Sequence, residues 1–146
     1  LLHCDLVYAA PNARLQLPFV NLGLVPEAAS SLLLPALLGY QRAAELLLLG
    51  EPFTAQKGKE IGLVTEVVPE DQLYDTAMAQ AKKLAGKPAA SLRLTKKLLK
   101  QGHMDAVAQR IKLESDHFGE RLASPEAKEA FSAFLEKRKP DFSKFD

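Results

Sequence analysis

Leu17-Pro18-Phe19-Val20-Asn21-Leu22-Gly23-Leu24-Val25-Pro26-Glu27-Ala28-Ala29-Ser30-Ser31, residues 17–31, contains one charged side chain. That side chain, Glu27, sits where a proline-punctuated extended segment gives way to a helix-forming run. A carboxylate there is solvated, caps a helix end, or takes part in chemistry. Pro-Glu is also an ordinary helix opening, because an acidic group complements the positive end of the helix dipole. On the residues alone, that plain reading of Glu27 outweighs the chemical one.

Around this stretch the composition is uneven. The 146 residues include 19 Lys and Arg and 18 Asp and Glu, but only Asp5, Arg14, Glu27, Arg42 and Glu45 fall within residues 1–50. The first part therefore reads as buried core, and the remainder as amphipathic helices with solvated faces. A length of 146 suits one domain. The chain opens on Leu1-Leu2-His3-Cys4-Asp5 with neither Met nor a capping signal, which suggests a piece of a longer protein. A net charge of +1 argues against nucleic acid or a membrane surface as partner. Apolar runs such as Leu32 to Leu38 are too short to span a bilayer. A single cysteine builds no disulfide framework and fits a reducing compartment, with the cytoplasm as default.

Short strands are expected over Cys4–Ala10, Ala13–Leu17 and Leu63–Val68, each followed by a proline within a few residues. Helices are expected over Glu27–Leu38 and Gln41–Leu49, the latter closed by Gly50 in a left-handed cap, and over Ala55–Ile61 behind Thr54. Four more follow: Glu70–Ala85, Pro88–Gln101, Met104–Gly119 and one opened by Ser124-Pro125. In the last, Ala127, Ala130, Phe131, Phe134 and Leu135 form the expected apolar stripe.

Several of these segments together resemble the crotonase (enoyl-CoA hydratase/isomerase) superfamily. They are Cys4-Asp5, Ala9-Ala10, Ala13-Arg14-Leu15, Pro18, Leu22-Gly23-Leu24-Val25-Pro26, Leu49-Gly50-Glu51-Pro52-Phe53-Thr54-Ala55, Gly62 to Val68, and Ala133 to Lys139. The resemblance implies an α/β fold: a spiral of ββα turns followed by a helical trimerisation region. Residues 1–68 would be the last turn of the spiral, carrying the active-site segment, and residues 69–146 the helical region. The N-terminal half, with its glycine-rich loop, would precede Leu1. A homotrimer or hexamer is implied for the intact protein.

Within that superfamily the chemistry follows carboxylate placement. Hydration of an enoyl thioester uses two glutamates, one directly after the proline of the strand-end motif and one ahead of Leu1 here. The first slot is Phe19, which neither accepts a proton nor holds water. Glu27, eight residues later, matches the position used by the peroxisomal-type Δ3,Δ2-enoyl-CoA isomerases, and this reverses the preference for the plain reading. Double-bond migration needs one base, and a lone carboxylate among apolar walls suits it. The resemblance also implies two backbone N–H donors for the thioester oxygen, both ahead of Leu1, so these residues alone should be inactive.

Phe19 and Leu24 would line the acyl site. Phe134 and Lys137 match an aromatic and a lysine that hold the adenine and phosphates of coenzyme A, which enters as part of the substrate and not as a separate cofactor. Against this, Phe134 also fits a core position and Lys137 a solvated face. The pairs Lys82-Lys83 and Lys96-Lys97 read as solvated helix faces. His3, His103 and His117 have no ligand spacing, so no metal site is expected. Ser30-Ser31 lacks a Gly-x-Ser-x-Gly elbow, and Cys4 reads as inert core. Two alternatives to the isomerase remain: a hydratase-like lyase, and a non-catalytic acyl-CoA-binding or assembly module.

Overall fold

Two short ladders and seven helices make up the regular structure of the computed structural model, which describes residues 1–145. The strands are β1 (Tyr8–Ala9), β2 (Arg14–Leu15), β3 (Phe53–Thr54) and β4 (Glu66–Val67). The helices are α1 (Ser30–Leu38), α2 (Tyr40–Ala44), α3 (Ala55–Glu60), α4 (Leu73–Ala85), α5 (Ala89–Gln101), α6 (Met104–Leu122) and α7 (Pro125–Leu135). Single 3-10 turns occupy Val20–Leu22 and Glu70–Gln72, and Glu45–Leu49 widens into a π turn. Two compact units result, one from Leu1–Leu15 with Phe53–Ala106 and one from Gln16–Pro52 with Val107 onwards.

In the first unit, β1 pairs parallel with β4 (Tyr8 opposite Glu66, Ala9 opposite Val67), and β2 pairs antiparallel with β3 (Arg14 opposite Thr54). Ala9, Ala55 and Val64 form its buried centre, with Val7, Ala13, Leu15 and Val67 packed around them. All three expected strands shorten to two residues. At the edge of the parallel ladder a side chain takes over: the Val7 N–H donates to Thr65 Oγ1 at 2.9 Å, while the Thr65 N–H donates to the Val7 carbonyl. Cys4 is exposed ahead of β1, so it is not part of a core.

Local signals hold better for the helices. Thr54 caps α3 by accepting from the Lys57 N–H at 3.1 Å, and Gly50 closes the π turn at φ 59°. The α5 helix buries none of its residues, and Lys96 and Lys100 pair with Asp5. Hydrogen bonds from Lys96 first and Lys100 second hold the Asp5 carboxyl below its ordinary range.

In the second unit, α7 buries Ala127, Ala130 and Ala133, whereas Phe131, Phe134 and Leu135 are 41, 75 and 80% exposed. Of the expected stripe, Ala127 and Ala130 are buried, whereas Phe131, Phe134 and Leu135 are corrected to exposed positions and Ala133 completes the buried face. Small side chains let α7 approach the Val20–Leu22 turn closely. A Cβ on Gly23 would stand 2.8 Å from the Ala127 nitrogen, and Gly23 also adopts φ 68°, so both space and conformation require glycine.

Candidate active site

Residues 17–31 fold as a run of turns. Phe19, half-buried, accepts from the Leu22 N–H at 3.0 Å and the Leu24 N–H at 2.8 Å through its carbonyl. That bond seats Leu24, which is 7% exposed, at the wall of a recess of about 270 Å³ shared with Val20, Gly23, Arg121, Glu126 and Phe142. Arg121 donates to the Gly23 carbonyl at 3.0 Å and pairs with Glu126 at 3.0 Å. The Glu126 carboxyl lies below its usual range, first through its own backbone N–H and then through Arg121.

Glu27 is exposed and stands before the helix, not in its first turn. The expected start at Glu27 is corrected to Ser30. Ala28 and Ala29 both lie at φ 58°, in the left-handed region, and the Ser30 N–H donates back to the Glu27 carbonyl at 3.0 Å. Left-handed backbone costs a non-glycine residue about 1–2 kcal/mol, so two in succession need support from outside the segment.

The support comes from α6. Glu114, 5% exposed, accepts from the Ala29 N–H at 2.6 Å, the Ser31 N–H at 2.9 Å and the Ser31 hydroxyl at 2.5 Å. Arg110, one turn earlier on α6, donates to the same hydroxyl at 3.0 Å. The first turn of α1 has no acidic residue of its own, and Glu114 supplies the negative charge its dipole favours. Val25, Pro26, Ser31, Arg110, Leu113, Glu114 and His117 surround a second recess of about 200 Å³ beside this contact.

Sequence reasoning did not single out Glu114. Its signal was a gap: Val107, Ile111 and Phe118 define an apolar face of α6, and the position completing their spacing is a glutamate.

Phe134 and Lys137 lie at the far end of α7. Phe134 is 75% exposed, so its core reading does not hold. Lys137 is exposed at φ 56°, its N–H donating to the Phe134 carbonyl at 3.2 Å. Phe19 and Leu24 are thus joined by a backbone hydrogen bond, and Glu27 follows three residues later, exposed. The fold sets Phe134 roughly 10 Å along α7 from Ala127 at the Gly23 contact, at 1.5 Å per residue, and Lys137 just past the end of the helix. Among the described residues, no three His, Cys, Asp or Glu side chains cluster as metal ligands would.

The sequence profile of the enoyl-CoA hydratase/isomerase family matches residues 1–144. The chain belongs to that family. Similar curated proteins include a probable enoyl-CoA hydratase of Bacillus subtilis, 38% identical over 140 residues, covering 95% of this chain and 54% of the relative. The 1,2-epoxyphenylacetyl-CoA isomerase of Escherichia coli is 37% identical over 141 residues, covering 95 and 53%. The chain spans about half the length of the curated relatives it matches. An enoyl-CoA hydratase/isomerase structure from Pseudoalteromonas atlantica superposes with a TM-score of 0.93 at 42% identity, over 97% of this chain and 57% of that one. The crotonase-type fold is thereby established for this enoyl-CoA hydratase/isomerase family member, whose own regular structure is mostly helical with two small ladders.

Proposed function

We propose that this chain supplies the base of a Δ3,Δ2-enoyl-CoA isomerase of fatty acid β-oxidation. Glu27 removes a proton from C2 of a 3-enoyl-CoA thioester, leaving a dienolate. It then returns a proton to C4, so the double bond moves from C3–C4 to C2–C3 with no net gain or loss of atoms. The carrying observation is the carboxylate count: residues 17–31 hold one acid, Glu27, and Phe19 fills the strand-end slot where a hydratase glutamate would stand. Its exposure leaves Glu27 open to substrate, the half-buried Phe19 offers apolar surface to an acyl chain, and Leu24, though buried, lines a recess wall.

The rest of the proposal concerns the intact protein. Residues 1–68 form the last spiral turn and residues 69–146 the trimerisation region, while the oxyanion donors come from a segment ahead of Cys4-Asp5. One such donor contributes roughly 3–4 kcal/mol to the transition state, so these residues without the donors are inactive. Phe134 and Lys137 bind the adenine and phosphates of coenzyme A, Lys137 as a point charge. Assembly as a trimer or hexamer would cover the exposed Leu94, Leu98 and Leu99 of α5 and Leu135 of α7. Among the described residues no helix is long and apolar enough to cross a membrane, and a cytoplasmic setting completes the proposal.

Hydration is the second reading, favoured by relatives named as hydratases. Both are tested by assaying the full-length protein on 3-enoyl-CoA and 2-enoyl-CoA. Glu27→Gln should lower isomerisation by about 10²–10⁴-fold, the usual contribution of one acid-base group. Undiminished isomerisation would sink the assignment. Dominant hydration would favour the second reading, and binding without turnover a non-catalytic acyl-CoA module.

A further inference from the structure

Glu114 has no part in the proton shuttle, yet it is the one buried charged side chain among the described residues. We propose that Glu114 is a positioning residue, whose carboxylate locks the double left-handed turn after Glu27 and so sets how the Glu27 carboxylate meets substrate. This rests on Glu27 being the base.

The argument begins with what residues 27–31 would do unaided. Glu-Ala-Ala-Ser-Ser favours right-handed helix over two successive left-handed alanines, and α1 would grow backwards to Glu27. In that longer helix the Ser31 N–H would donate to the Glu27 carbonyl, four residues earlier. In the structure Glu114 Oε1 takes the Ser31 N–H, and Glu114 Oε2 takes the Ala29 N–H. The Glu27 carbonyl is left to the Ser30 N–H, closing a tighter turn. One carboxylate thus occupies the amide that would extend the helix and rewards the conformation that does not.

The attachment is itself secured. Ser31 Oγ donates to Glu114 and accepts from Arg110, so two α6 residues one turn apart grip the same serine. Glu114 is 5% exposed, and breaking its bonds would leave a buried carboxylate without partners. Released, Ala28 and Ala29 relax into α1, and Glu27 moves from the loop into the first turn of the helix.

The test uses the full-length protein and two readouts. In Glu114→Ala, hydrogen exchange at Ala29 and Ser31 should quicken about tenfold or more, with protection in the later turns of α1 and in α7 retained. On 3-enoyl-CoA, kcat should fall roughly 10–100-fold while KM stays within about threefold, as misplacement of a reacting group predicts. Glu114→Gln keeps the volume and one acceptor oxygen, so it should recover part of both and keep the test decisive if Glu114→Ala does not fold. In a Glu27→Gln background, Glu114→Ala should add little further loss, which a general structural defect would not reproduce.

Unchanged exchange at Ala29 and Ser31 would overturn the lock. Full activity in Glu27→Gln would remove the base and the positioning role together. Activity lost in Glu27→Gln but unchanged kcat in Glu114→Ala would overturn the positioning role alone.

Discussion

Gly23 shows how tightly a single position is specified. Its φ of 68° suits glycine, and an added Cβ would meet the backbone of Glu126 and Ala127 at 2.9 and 2.8 Å, where no side chain can swing away. Gly23→Ala should therefore destabilise by about 2–4 kcal/mol, combining left-handed strain with overpacking. A urea titration would show this as a lower midpoint at unchanged slope. Glu27 lies four residues on, and the sequence identifies the residue better than its conformation. Its type and its pairing with Phe19 are visible in the chain, but the left-handed Ala28 and Ala29 are not, because alanine carries no preference for that conformation. Their cause is Glu114, 85 residues away at the Ala29 contact, and no helical or strand period reaches that far.

At the scale of elements, signals written within one turn are legible and those depending on a partner surface are not. Thr54, Gly50 and Ser124 each do what their residue types favour, since a cap needs only its own helix. Ser124 accepts from the Ala127 N–H at 3.2 Å, so Ser124→Ala should cost α7 about 1 kcal/mol. Calorimetry should register a fall in Tm of about 2–4 °C, with Ser124→Gly milder. The buried face of α7 is a different matter. Helical spacing suggests a stripe of Ala127, Ala130, Phe131, Phe134 and Leu135, but the buried face is Ala127, Ala130 and Ala133, with Ala127 at the close approach to Gly23. The strands were overestimated for a related reason: a short apolar run closed by proline marks where a ladder can form, not how many residues find partners.

At the scale of the molecule, the end of α7 makes one contribution to acid stability. Arg138 binds Glu129 and Glu136, and the Asp141 N–H donates to Glu129 at 2.9 Å, tying the following segment to the helix. The Arg138 guanidinium foremost, then the Asp141 N–H, lowers the Glu129 carboxyl to about 2. A carboxylate depressed on folding stabilises above its unfolded value near 4.5 and loses that contribution as pH falls towards 2. Between those limits the wild-type Tm should drop more steeply with acid than that of Glu129→Gln. Equal slopes would show that the pair contributes nothing to the fold. The span between Glu27 and Glu114 has a last consequence, for synthesis. At about 5–20 residues per second, the ribosome delivers the Glu27 turn roughly 4–17 s before the carboxylate that shapes it. During that interval the nascent segment is free to extend α1 back to Glu27. Any such extension must unwind before the turn after Glu27 can form, once α6 emerges.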